Sequence, residues 1–107
     1  MGFLASVRIY CKNIILIKVM SDLNYSNGTI AGLYALYCAC DGSTHAHVRK
    51  AFWRRKFSEE YRNEANRIIK RVRTHSDGFV HVHKGRNVTY GITMNGVLVL
   101  KKLGIIP

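Results

Sequence analysis

Two short alternating segments near the carboxyl end constrain the fold most. Residues 79–83 and 88–92 both alternate apolar or β-branched positions with polar ones, and the polar loop Lys-Gly-Arg-Asn separates them. This pattern predicts a β-hairpin. Because a hairpin alone is only marginally stable in water, it requires other elements to pack against.

A mostly apolar run at residues 29–40 predicts the first of these elements, a helix. Thr29 is placed to cap its start, and Asp41 and Gly42 are placed to end it. Its apolar positions recur at helical spacing: Ile30, Leu33, Leu36, Tyr37 and Cys40. A helix this apolar is expected to be buried on most sides.

A second helix is predicted at about residues 44–56, with Ser43 or Thr44 as its cap. Its expected apolar stripe is short and consists of Val48, Ala51 and Phe52. Trp53 is expected to lie in the core or an interface, although it could also stack on a base or a sugar.

A third helix is predicted at about residues 59–74, because Ser58 precedes two acids that favour a helix amino terminus. One face is apolar at helical spacing: Tyr61, Ala65, Ile68, Ile69 and Val72. Thr93 is predicted to cap a final helix that ends at Gly104. In that helix Val97, Leu100 and Leu103 face inward. The predicted fold class is therefore α+β, in the order helix, helix, helix, hairpin, helix.

The charge of the chain points to a polyanionic partner. Its 107 residues contain 17 Lys and Arg against 6 Asp and Glu, a net charge of +11. A length of 107 residues fits one domain, and an excess of this size favours nucleic acid or an anionic membrane surface. Three cysteines do not suggest a disulfide framework, and no apolar stretch has the length of a membrane span. We therefore expect a cytoplasmic protein without a membrane partner.

The order of elements resembles the winged helix-turn-helix family of DNA-binding domains. The resemblance is most specific at residues 90–104, where an aromatic residue leads through Ile-Thr to a glycine and a leucine-spaced closing helix. It covers roughly residues 29–105, and we place the domain at 28–107. In size and charge the nearest type is the small winged-helix proteins of archaea and their viruses, which for a viral protein implies the host cytoplasm.

The resemblance implies a transcriptional regulator that binds double-stranded DNA. The helix that starts near Ser58 would lie in the major groove, where arginine and asparagine side chains read bases. The hairpin would be the wing, with its tip on phosphate or in the minor groove, and the second helix would contact the backbone. The expected DNA-binding residues are Arg62, Asn63, Asn66, Arg67, Lys70, Arg49, Lys50, Arg54, Lys84 and Arg86.

Residues 1–27 form an amino-terminal extension whose structure the sequence leaves open. Residues 7–19 alternate as a strand does, but the spacing of Ile14, Ile15 and Lys18 also fits a helix. The segment would be either a core-edge strand or, as we favour, a dimerisation element that makes the protein a homodimer. Met20 could also be an alternative translation start.

Other functions find less support in the sequence. Cys38, Cys40, His45 and His47 invite a zinc interpretation, but positions i and i+2 of a helix point to nearly opposite sides, so we predict packed cysteines and exposed histidines with no metal and no cofactor. His81 and His83 share a strand face, yet two ligands do not close a site.

The chain shows no catalytic motif, so we expect neither an enzyme nor a small-molecule substrate. The alternatives to DNA binding are an RNA-binding or ribosome-associated module and a protein-interaction or architectural module.

Overall fold

The computed structural model describes residues 25–107, which form an α+β unit. Its elements are α1 (Asn27–Ala39), α2 (Lys50–Arg55), a 3-10 helix (Glu59–Glu64), α3 (Ala65–Arg73), strands β1 (Val80–Lys84) and β2 (Val88–Ile92), and α4 (Met94–Lys102). The predicted class and order of elements are confirmed. The possible strand, dimerisation element and alternative start at residues 1–24 lie outside the described residues.

Helix α1 begins two residues earlier than predicted, so Thr29 as the cap is wrong. Ser26 is the capping residue, and its Oγ accepts a hydrogen bond from the Thr29 backbone N at 3.1 Å. Thr29 itself is buried in the first turn. The predicted end of the helix is confirmed, because Asp41 and Gly42 both adopt positive φ angles, 55° and 77°.

Helix α2 is much shorter than predicted because the chain before it is extended. Val48 forms an antiparallel bridge with Tyr90, in which the two backbone N···O distances are 2.9 and 2.7 Å. The prediction of a helix from residue 44 is therefore wrong. Its predicted apolar stripe is also wrong, since Ala51 and Phe52 are exposed.

Trp53 is instead the buried residue of α2. It is fully enclosed, and its indole Nε1 donates to the carbonyl oxygen of Gly32 in α1 at 2.9 Å. The prediction that Trp53 belongs to the core is confirmed, and a buried Trp53 cannot stack on a nucleic-acid base.

The predicted third helix divides into the 3-10 helix and α3. Ser58 is extended at its start, but its side chain makes no capping hydrogen bond. The predicted apolar stripe is confirmed: Ala65, Ile68, Ile69 and Val72 are buried, while Tyr61 is half-buried. Because residues 59–64 form a 3-10 helix, they have about 3 residues per turn and not 3.6. Their side chains therefore lie at other positions on the surface than an α-helix would give them.

The hairpin and the closing helix agree with the predictions made from the sequence. Val80 pairs with Ile92 and Lys84 with Val88, so the strands are antiparallel around a three-residue loop. The Thr93 hydroxyl accepts from the Gly96 backbone N at 3.3 Å and caps α4. The predicted inward residues Val97, Leu100 and Leu103 are buried, and Gly104 ends the helix with a φ of 73°.

The core lies between α1, α3, α4 and the hairpin, and Tyr25, the first described residue, packs against it. The ring of Tyr25 packs edge-on against Phe79, with centroids 5.4 Å apart. The Tyr25 hydroxyl also donates to Asp77; this bond and burial raise the pKa of Tyr25 to about 12. Residues 25–27 thus pack with the folded unit although the sequence placed them in the extension.

Candidate nucleic-acid interface

The surface of the 3-10 helix and α3 is polar and basic on the side opposite the core. The buried stripe of α3 fixes the orientation of the helix, so the residues between the stripe positions face solvent. Four of the predicted DNA-binding residues are exposed here: Asn63, Asn66, Arg67 and Lys70. We call this surface the α3 face.

Arg62 is exposed but its guanidinium is turned towards the chain that precedes the 3-10 helix. Its Nη2 donates to the carbonyl oxygen of Phe57 at 3.4 Å. Phe57 itself is buried, so this bond ties Arg62 to a fixed part of the backbone. Arg62 would have to give up this long hydrogen bond to contact a base fully.

A hydrogen bond joins α2 to the α3 face. Arg54 Nη1 donates to Asn66 Oδ1 at 3.4 Å, so the two predicted residues are neighbours in space although 12 positions separate them. Arg49 and Lys50 lie at the start of α2, where both are exposed. The side chains of Arg49 and Lys50 make no hydrogen bond or ion pair within residues 25–107.

The basic side chains of this surface take part in one ion pair within the described residues. Among residues 25–107, the one Lys or Arg in an ion pair is Arg67, which pairs with Glu64. The two side chains are 68% and 50% exposed, so solvent screens this pair and it contributes little to stability. A phosphate or a base edge could therefore replace Glu64 at low cost.

Lys84 and Arg86 stand at the tip of the hairpin. Lys84 is the last residue of β1 and Arg86 is the middle of the loop, and both are exposed. Their side chains form no hydrogen bond or ion pair with the rest of the described chain. Lys84 and Arg86 therefore form a second basic surface, on the hairpin.

Phe52 is an exposed aromatic residue that the sequence interpretation placed inward. Its side chain is 40% exposed, and the Lys56 ammonium lies 5.1 Å from its ring centroid. Such a contact is worth about 0.5–1 kcal/mol at an exposed site. The predicted stripe of Val48, Ala51 and Phe52 assumed that Val48 is helical, whereas Val48 is extended and lies outside the helix.

The Cys-His cluster does not assemble as a ligand set. Cys40 is buried and Cys38 is half-buried, and burial raises the pKa of both thiols. His45 and His47 are exposed, as the sequence predicted. In the part of the chain that the structure describes, no three His, Cys, Asp or Glu side chains are arranged to hold a metal ion.

Comparison with known proteins adds no relative to this description. No protein-family model, curated protein or solved structure matches the chain. The arguments about its function therefore depend on the two basic surfaces and on the fold that presents them. Between residues 25 and 107, no helix is long and apolar enough to cross a bilayer.

Proposed function

We propose that this protein is a winged helix-turn-helix transcriptional regulator that binds double-stranded DNA sequence-specifically in the cytoplasm. The observation that carries the proposal is the α3 face: a helix held by four buried apolar residues exposes asparagine and basic side chains, and among the described residues Arg67–Glu64 is the one ion pair that these basic side chains form. Two asparagines and an arginine can read adenine and guanine edges. The basic residues supply the affinity for phosphate.

The position of the hairpin supports the winged form of this proposal. Tyr90 in β2 pairs with Val82 of β1 on one side and with Val48 on the other, so the hairpin is bonded to the chain that leads into α2. In this arrangement α3 enters the major groove while Lys84 and Arg86 contact the neighbouring backbone or minor groove. Arg49, Lys50 and Arg54 contact phosphates beside the groove.

Arg62→Ala is expected to weaken binding to the preferred duplex by about 1–3 kcal/mol and to relax the preference at one base position. A bidentate contact from Arg62 to a base would discriminate between bases. To make it, Arg62 gives up only its long hydrogen bond to the Phe57 carbonyl oxygen. Binding constants for the preferred duplex and for its single-base variants measure both effects. Lys102→Ala is the matched control, since it removes one charge from α4 beside Tyr25 and Asp77. Equal losses on the preferred and on random duplexes would show that Arg62 reads no base.

Lys84→Ala is expected to weaken binding to all duplexes by a similar factor. Because Lys84 contacts phosphate, its loss should reduce the slope of log K against log salt by about one. Titrations at four or more salt concentrations, with a preferred and a random duplex, measure this slope. An unchanged slope would remove the hairpin tip from the interface.

Selection of bound sequences from a random duplex pool, followed by footprinting, tests the proposal as a whole. A defined sequence motif is the expected result, and a palindrome would in addition report a homodimer and its half-site spacing. Competition with structured RNA belongs in the same experiment. Preference for RNA, or weak binding without any sequence preference, would contradict the proposal in favour of an RNA-binding or architectural module.

A further inference from the structure

Four of the five histidines of the chain occur as two His-x-His pairs, at residues 45–47 and 81–83. The fold brings one member of the first pair onto the second pair. The ring centroid of His47 lies 5.5 Å from that of His81 and 5.1 Å from that of His83. All three rings are exposed. Neither pair alone suggests a site, and residues 48–80 separate them.

Gly91 allows these rings to meet. In the hairpin register His81 is the partner of Gly91, and the Val48–Tyr90 bridge places His47 beside Gly91 on its other side. Gly91 has no side chain to separate them, and a Cβ there would lie 2.8 Å from the Ala46 carbonyl oxygen and 4.0 Å from His47 Nδ1. His83 lies two residues after His81 and therefore on the same face of β1.

The two ring separations from His47 are close to that between two imidazoles on a single tetrahedral metal ion. A Zn–N bond of about 2.0–2.1 Å and a distance of about 1.1 Å from the nitrogen to the ring centroid place two coordinated imidazole centroids about 5.2 Å apart. The two separations from His47 fall on either side of this value. In their present orientation the rings meet edge to face, at 85° and 79°, and they do not form a group that could hold a metal ion. Since all three side chains are exposed, rotation about their side-chain bonds can redirect them.

We propose that His47, His81 and His83 form a binding site for a divalent transition-metal ion at the base of the hairpin. Three imidazoles leave a fourth position for water or another ligand. Nitrogen ligands favour Zn²⁺, Ni²⁺ or Cu²⁺ over Mg²⁺ or Ca²⁺, which take oxygen ligands. Lys84, next to His83, and Arg49, two residues after His47, weaken the attraction for any cation, so the selectivity should depend on the imidazole nitrogens. The site does not depend on the proposed DNA-binding function.

Calorimetric titration of the full chain with ZnCl₂ in the presence of a non-chelating reductant tests the site. One zinc ion per chain is expected, with no heat from MgCl₂ or CaCl₂. His47→Gln, His81→Gln and His83→Gln are each expected to lower the zinc affinity at least tenfold. Circular dichroism should show the same fold for all variants, because the three side chains are exposed.

His45→Gln is the matched control, because His45 belongs to a His-x-His pair but makes no ring contact with another described residue. Its zinc affinity should stay within threefold of the wild type. Cobalt substitution gives an independent measurement, in which nitrogen ligation produces ligand-field bands without thiolate charge-transfer absorption. No zinc binding, a stoichiometry of one ion for two chains, thiolate absorption, or an equal loss in the His45 variant would each overturn the proposal.

Discussion

Replacing Trp53 with alanine is expected to lower the free energy of unfolding by about 3–5 kcal/mol. Trp53 is the largest fully buried side chain, and its removal leaves a cavity between α1, α2 and β2. The substitution also removes the donor for the Gly32 carbonyl oxygen, which loses its 2.9 Å side-chain hydrogen bond. Since small domains are stable by about 5–15 kcal/mol, a large part of the stability would be lost.

Urea unfolding followed by circular dichroism measures this loss. Trp53→Phe should cost less, because it keeps most of the packing and loses mainly the indole hydrogen bond. Phe52→Ala is the matched control on the adjacent residue of the same helix, and its effect should stay below about 1 kcal/mol because the ring is already 40% exposed. Similar losses for Trp53→Ala and Phe52→Ala would contradict the packing described for α2.

Gly32→Val is expected to destabilise the protein by about 3 kcal/mol, at the upper end of the usual overpacking cost. A Cβ at position 32 would lie 2.5 Å from Ile68 Cγ2 and 3.0 Å from Val72 Cγ2, so α1 and α3 would have to separate. Both methyl groups belong to β-branched residues, whose χ1 rotation in a helix is restricted. Because α3 carries the α3 face, the proposed DNA binding should weaken as well.

Gly28→Ala, one turn earlier in α1, is the control for this prediction. Its nearest neighbour would be the Arg71 guanidinium at 3.3 Å, the mobile end of a long side chain. Alanine also favours a helix over glycine by up to about 1 kcal/mol. Thermal unfolding should therefore show an unchanged or higher midpoint for Gly28→Ala and a lower one for Gly32→Val. A higher midpoint for Gly32→Val than for Gly28→Ala would contradict the close contact between Gly32 of α1 and Ile68 and Val72 of α3.

The sequence predicted the hairpin, α4 and the buried face of α3 because each is specified by a local period. Alternation fixed the strands to within one residue, and the Thr93 cap identified the start of α4. The α3 stripe is likewise a local pattern, and the exposed residues of the α3 face follow from it. For these elements tertiary contacts reinforce what the local sequence prefers.

The start of α2 could not be predicted because a distant contact decides it. Val48 fits a helical stripe as well as it fits a strand, and only its pairing with Tyr90, 42 residues later, selects the extended form. The same bridge brings His47 to the hairpin, and in the short helix that follows Phe52 is exposed while Trp53 is buried. The Arg54–Asn66 bond between α2 and α3 is likewise non-local and has no signature in the spacing of residues.

Tyr90 faces Val82 of β1 in the hairpin register, while its backbone N and O both bond to Val48, two residues before α2 begins, so β2 connects the hairpin to the chain that enters α2. Moving the hairpin without the chain that enters α2 would therefore break the two Val48–Tyr90 hydrogen bonds. The hairpin tip and α2 would therefore be expected to move together when the protein binds a partner.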